Sequence, residues 1–171
     1  MVSMYDRLGG HPMQWSKLES KRWGNSTLPV AHTGKYFAQE MKVDQSVYTV
    51  APAKVDLKPG MILTFELFLL RGSQSPTDVA VAWGAFPICD ANFDIISGKF
   101  KAPLLRGHMD SQVDRHERIE QLISADLDHW LANIYFEIVR LPRFLAGQKE
   151  YEVELQFTSG LLNSPGTGQN R

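Results

Sequence analysis

The chain has 171 residues, 43% hydrophobic and 11% aromatic, enough to bury a core without disulfide or metal staples. Its 18 basic residues against 19 acidic ones leave a formal net charge of −1, which excludes a global electrostatic pull toward nucleic acid or anionic membrane. Cys89 is the single cysteine, so no intrachain disulfide or thiolate zinc site can be built, and one unpaired thiol fits a reducing cytoplasm.

Residues 1–34 scatter Gly9, Gly10, Pro12, Gly24, Pro29 and Gly34 among apolar residues, with no period long enough to define an element. They read as an irregular N-terminal arm. Trp15 and Trp23 argue that the arm packs on the domain or on a partner, because large aromatics seldom stay in water. The first ten residues lack the apolar core of a signal peptide. The longest apolar run, 61–70, is broken by Thr64 and Glu66 and is too short to span a bilayer.

From residue 35 the texture becomes strand-like. Strands are expected at 35–43 and 46–50, ended by Pro52, with a turn at Pro59 and Gly60. The clearest strand is 61–70. Ile62, Thr64, Glu66, Phe68 and Leu70 fall on one face, and Leu63, Phe65, Leu67 and Leu69 on the other; the second face, wholly large and apolar, is expected to be core. A loop at 71–78 precedes a strand at 79–83, interrupted by Gly84 and Pro87. A polar tip at 90–94 and a turn at Ser97 and Gly98 lead to a strand at 100–105, closed by Gly107.

Residues 110–125 change character: Ile119, Leu122 and Ile123 at helical spacing predict a short helix or charged crossover. Residues 126–140 fit two patterns. Leu127, Trp130, Leu131, Ile134, Tyr135 and Ile138 match a helical stripe, while 134–139 is dense in β-branched and aromatic types. A strand at 131–139 is the preferred reading, because Pro142 closes it and its neighbours are β. At 150–157, Tyr151, Val153, Leu155 and Phe157 alternate with Glu152, Glu154 and Gln156, the pattern of a half-buried antiparallel strand. Residues 161–171 form a Gly/Ser/Pro/Asn tail, expected to be flexible. The sum is a mostly β chain: an antiparallel β-sandwich over 35–160 with one short helix or helical crossover.

One stretch carries a family resemblance. The strand Leu63 to Leu70, a polar loop, the Trp83-bearing strand, the loop with Asp90, Asn92 and Asp94, the Gly98 turn and the strand ending at Leu105 together resemble the middle of a C2 domain. They are similar to the divergent C2 modules of phosphoinositide 3-kinases and of ciliary scaffold proteins, over roughly a quarter of the chain. The resemblance implies a C2-like sandwich and a non-catalytic binding module of a larger scaffold protein. It implies association with another protein, no cofactor, and a cytoplasmic place, peripheral to membranes or associated with the cilium or cytoskeleton. An arm at one end and a polar tail at the other fit a segment of such a scaffold.

The sequence departs from the calcium-binding C2 pattern. A hard divalent cation takes about 6–8 oxygen ligands. The 71–78 loop offers only Asp78, and the second loop offers Asp90 and Asp94 beside Asn92, so calcium-independent function is expected. Asp90, Asn92 and Asp94 read more plainly as a hairpin loop whose side chains bond their own backbone.

Candidate binding residues are cationic. Lys99 and Lys101 share one strand face, Arg106 follows on the same strand, and Arg71 is expected nearby. Together they would form a patch for a protein partner or, as the alternative, for anionic phospholipid headgroups, at about 1 kcal/mol per charge. Lysines kept exposed for solubility are the plainer account. His11, His32, His108, His116 and His129 show no metal-ligand spacing, and Cys89, following two apolar residues, reads as a buried inert thiol. No nucleophile elbow or phosphate-binding glycine loop occurs, so no enzyme activity is expected. Trp83 is expected in the core, and Trp15 and Trp23 are candidate interface anchors.

Overall fold

The computed structural model describes residues 1–16, 21–22, 24–32, 34–35, 37, 39–49, 51–71 and 77–141. The expected strand at 150–157 and the expected tail lie outside these, as does Trp23. Within them the chain is mostly β and antiparallel with one short helix, as the sequence predicts. The strands are β1 (Val2–Tyr5), β2 (Gln14–Ser16), β3 (Lys21–Arg22), β4 (Gly24–Asn25), β5 (Ile62–Arg71), β6 (Thr77–Pro87), β7 (Gly98–Arg106) and β8 (Trp130–Ile138); the helix α1 is His116–Ala125. Six strands form one sheet in the order β4-β1-β5-β6-β7-β8, and β2 pairs with β3 in a separate ribbon.

The sheet curls. Phe65 on β5 and Phe136 on β8 have ring centroids 4.6 Å apart, although three strand spacings separate them, about 14 Å in a flat sheet. Phe86 joins the ring cluster, 5.1 Å from Phe136 and 4.7 Å from Phe100. The β7–β8 hairpin therefore bends over β5 and β6, and Leu63, Leu67, Leu131 and Ile134 pack on buried Phe65, Ala82 and Leu104 along the same face. Such curling is consistent with a sandwich.

The bend has a local cause. β6 and β7 pair only at Ala82–Arg106 and Trp83–Leu105, whereas β7 and β8 pair over nearly their whole length. Pro103, two positions beyond Leu105 toward the divergence, has no N–H to donate. Gly84 lies against it: a Cβ built on Gly84 would stand 2.5 Å from the Pro103 carbonyl oxygen and 2.9 Å from Leu104 Cδ2. The glycine that interrupts the predicted strand thus lets β6 pass the Pro103 carbonyl and run on to Pro87 along β5.

The opposite face is covered by α1 and two loops. Ile119 of α1, with Leu122 and Ile123 beside it, joins Leu8 and Val113 in a core over Ile62, Trp83, Ala85 and Leu105. Trp83 is 2% exposed, in the core as expected. The helix follows the expected stripe and ends at Asp126, whose carboxylate accepts from the Asp128 amide and starts a single 3₁₀ turn before β8. A third cluster, Met4, Leu57, Met61, Ile88 and Cys89, closes the end of the sheet.

Three expectations are corrected. First, β5 is not one-sided: Ile62 and Thr64, on the face opposite the expected core, are 3% and 1% exposed, while Leu69, on the expected core face, is 40% exposed. Ile62 packs in the cluster that α1 joins through Ile119, and the Thr64 hydroxyl donates to the Ser3 carbonyl of β1. A register shift between Leu67 and Phe68 then sets Leu69 opposite Val79, also exposed. Second, the arm supplies sheet strands: β1 pairs with β5 along its length, and Met4 is 1% exposed. Third, the described residues of 35–49 pair with no strand.

Candidate binding surfaces

The sheet register decides which predicted residues meet. Lys99 sits opposite Glu137 and Lys101 opposite Tyr135, near the free end of the β7–β8 hairpin. They share a face, as read from the sequence, and the Lys101 ammonium stands 6.0 Å from the Tyr135 ring centroid, at the outer limit of a cation–π contact. Arg106 does not join them. It is five residues along β7, about 16 Å, on the opposite face by parity. Its Nε donates to the Asp128 carbonyl at 3.0 Å, tying β7 to the turn before β8. Arg71 pairs with Thr77 at the far end of β5, beyond Arg106 and away from Lys99. The four cations are spread along the sheet and form no single patch.

The carboxylates do not converge either. Asp78 pairs with Leu70 near the start of β6, about 30 Å along the strand from its end at Pro87, beyond which Asp90 lies. Asp90 is occupied locally: its Oδ1 accepts from the amides of Asn92 and Asp94, both at 2.9 Å, and its own amide donates to the Asp94 carbonyl. These backbone amides, that of Asp94 first, hold the Asp90 carboxyl below the usual carboxylate range, with help from the charge of Lys54. Asp94 forms an exposed ion pair with Lys54 at 2.7 Å. This is the self-satisfied hairpin tip expected from the Asx pattern. Among the described residues no cluster of three or more His, Cys, Asp or Glu could hold a metal ion.

Cys89 is buried, and its Sγ–H donates to the Lys58 carbonyl at 3.1 Å. Burial, and behind it the charge of Asp90, push the thiol pKa up, so it is a poor nucleophile. His32 accepts from the Gly34 amide, and His129 Nδ1 lies 3.1 Å from the Asp126 carbonyl; both serve local turns.

Two surfaces stand out that the cationic reading missed. One is the long connection from Ser26 to Ala53, whose described residues lie in no strand or helix. There Leu28 (62% exposed), Phe37 (65%), Val30, Met41, Val43 and Tyr48 all present apolar side chains to water. The Gln45 side chain pins this segment by accepting from the Leu28 amide at 2.7 Å and donating to the Leu28 carbonyl at 3.2 Å. The other is the outer strand β8. Tyr135 is 74% exposed, and a shallow hollow of about 290 Å³ is lined by Lys99, Phe100, Tyr135, Phe136 and Glu137. The available signal was loop length: a connection this long without regular structure in a compact domain is uncommon unless it has a job.

Among the described residues no helix is long and apolar enough to cross a membrane. Comparison of the chain with protein-family models, with curated proteins and with solved structures returned no match.

Proposed function

We propose that this chain is a non-catalytic, C2-like binding module of a larger scaffold protein, associating with another protein without calcium. The observation that carries the reading is the connection from Ser26 to Ala53, which holds six large apolar side chains exposed on a segment pinned by Gln45 and Leu28. Clustered exposed apolar side chains mark interaction sites, and loops carried on a rigid sheet are where binding residues concentrate. The partner would offer an apolar groove to Leu28, Phe37 and Met41. The curled antiparallel sheet supports the C2-like assignment.

The alternative, docking on anionic phospholipid, draws less support from the register. With Arg71 and Arg106 apart, Lys99 and Lys101 remain, contributing about 2 kcal/mol together at a charged surface, which is marginal for stable attachment.

The test is affinity capture with the wild-type chain and with Leu28→Ser/Phe37→Ser/Met41→Ser, alongside flotation with phosphatidylserine vesicles with and without calcium. The proposal expects partners captured by the wild type and lost by the triple variant, with no vesicle binding. Vesicle binding that survives the triple variant and fails in Lys99→Glu/Lys101→Glu would replace it with the lipid reading.

A further inference from the structure

The connection from Ser26 to Ala53 holds a segment with the pattern of a strand and no strand beside it. Within 39–49 the odd positions include Met41, Val43 and Val47, and the even ones Glu40, Lys42, Asp44 and Ser46, the two-residue alternation of a half-buried strand. It contains no proline and no glycine. Met41 and Val43 are nonetheless exposed. Among the described residues, no backbone N–H or C=O of 39–49 bonds to another backbone group. Residues 39–43 keep negative φ, and Asp44, at φ 44°, ends the run. Just beyond it the Gln45 side chain holds the Leu28 amide and carbonyl, which anchors the run at that end.

We propose that residues 39–43 add as a strand to an open β-sheet edge of the partner protein. This rests on the binding reading above and names the surface the partner offers: a strand with unpaired N–H and C=O groups, beside an apolar groove for Met41 and Val43. Two observations favour it over a groove that takes side chains alone. The alternation sets Met41 and Val43 on one face and Glu40 and Lys42 on the other, as a sheet presents them. The backbone that carries them is unpaired, so it can exchange water for the partner's main chain. In such a contact main-chain hydrogen bonds supply affinity and alternate side chains supply selectivity. Leu28 and Phe37 lie outside the paired run and make side-chain contacts only.

Residue-resolved hydrogen exchange of the full chain tests this, free and bound to the purified protein that the wild type captures in the experiment above. In the free chain the amides of 39–43 are expected to exchange at unprotected rates. In the complex, alternate amides are expected to slow about tenfold or more, either Glu40 and Lys42 or Met41 and Val43, because an added strand bonds through one edge. Proline at a slowed position, Lys42→Pro or Val43→Pro, removes that donor and is expected to weaken capture about tenfold, whereas Lys42→Thr or Val43→Ile keeps it. Since 39–49 carries no backbone bond of the fold, the proline variants should leave the far-ultraviolet spectrum unchanged. Full capture by the proline variant overturns the edge strand, as does protection that is absent, uniform or spaced as in a helix. Loss of capture in Leu28→Ser/Phe37→Ser/Met41→Ser beside full capture by the proline variant removes the edge strand alone. A wild-type chain that captures nothing removes the binding module and the edge strand together.

Discussion

Replacing Gly84 with alanine places a methyl group against the Pro103 carbonyl and the Leu104 side chain of β7. The new Cβ would lie 2.5 Å from the Pro103 carbonyl oxygen and 2.9 Å from Leu104 Cδ2. The leucine tip can rotate aside, but the oxygen belongs to backbone paired with β8 and moves only with the hairpin. Reaching ordinary van der Waals distance requires a displacement of roughly 1 Å, and overpacking of that kind costs about 1–3 kcal/mol. Alanine recovers about 0.4–1 kcal/mol by restricting the unfolded chain, leaving a net loss of about 1–2 kcal/mol. For a chain of this length that lowers the melting temperature by about 2–8 °C. Thermal and urea unfolding followed by circular dichroism read the change, with an unaltered urea slope. Gly60→Ala is the control: its Cβ meets nothing closer than 3.7 Å, at the Asp6 carbonyl, so stability should stay within about 0.5 kcal/mol. A Gly84→Ala protein as stable as the wild type would refute the close approach of β6 to Pro103, and with it the explanation of the curl.

Phe136→Ala removes ring contacts to Phe65, Phe86 and Phe100 and is expected to cost about 2–3 kcal/mol, below the range for a fully buried ring because Phe136 is half-buried; Phe136→Leu should cost about half as much by the same urea measurement. Cys89, with its thiol pKa raised in the folded state, should alkylate with iodoacetamide far more slowly in native protein than in urea. The stability linked to its protonated form should be complete below the unfolded thiol's pKa and lost as pH rises through the folded value, a decline that Cys89→Ala removes. Asp90 has the opposite sign: its lowered pKa contributes stability above the ordinary carboxylate range that disappears as pH falls through the folded value. Asp90→Asn should therefore flatten the acid limb of the pH–stability curve, and an unchanged limb would refute the cap.

Some of this was legible in the chain because it depends on local period. The helix at His116–Ala125 follows from Ile119, Leu122 and Ile123, and β8 from its β-branched and aromatic density against a competing helical stripe. The Asp90 tip was readable because Asx side chains bond neighbours only two to four residues away. Other features left no such trace. Val2–Tyr5 is too short to show a period and is a strand because the edge of β5 accepts it. The described residues of 35–49 have strand-like composition but no paired edge, and propensity without a partner does not make a sheet. Leu28, Phe37 and Met41 were unreadable as a surface because apolar residues in sequence look alike whether covered or not.

The sequence by itself determined the β class, the helical crossover and the self-capped aspartate loop, since each shows in the pattern of residues close along the chain, and it marked Cys89 as a buried thiol by the apolar residues before it, although its cover comes from Met4, Leu57 and Met61. Tertiary structure decided which side of β5 is sealed, that Lys99 and Lys101 part company with Arg106 and Arg71, and that β8 meets β5 through Phe136 and Phe65. Those outcomes depend on register and curl. Both are set by single positions, Gly84 and Pro103 and the shift at Leu67–Phe68, whose effect reaches strands far away in sequence.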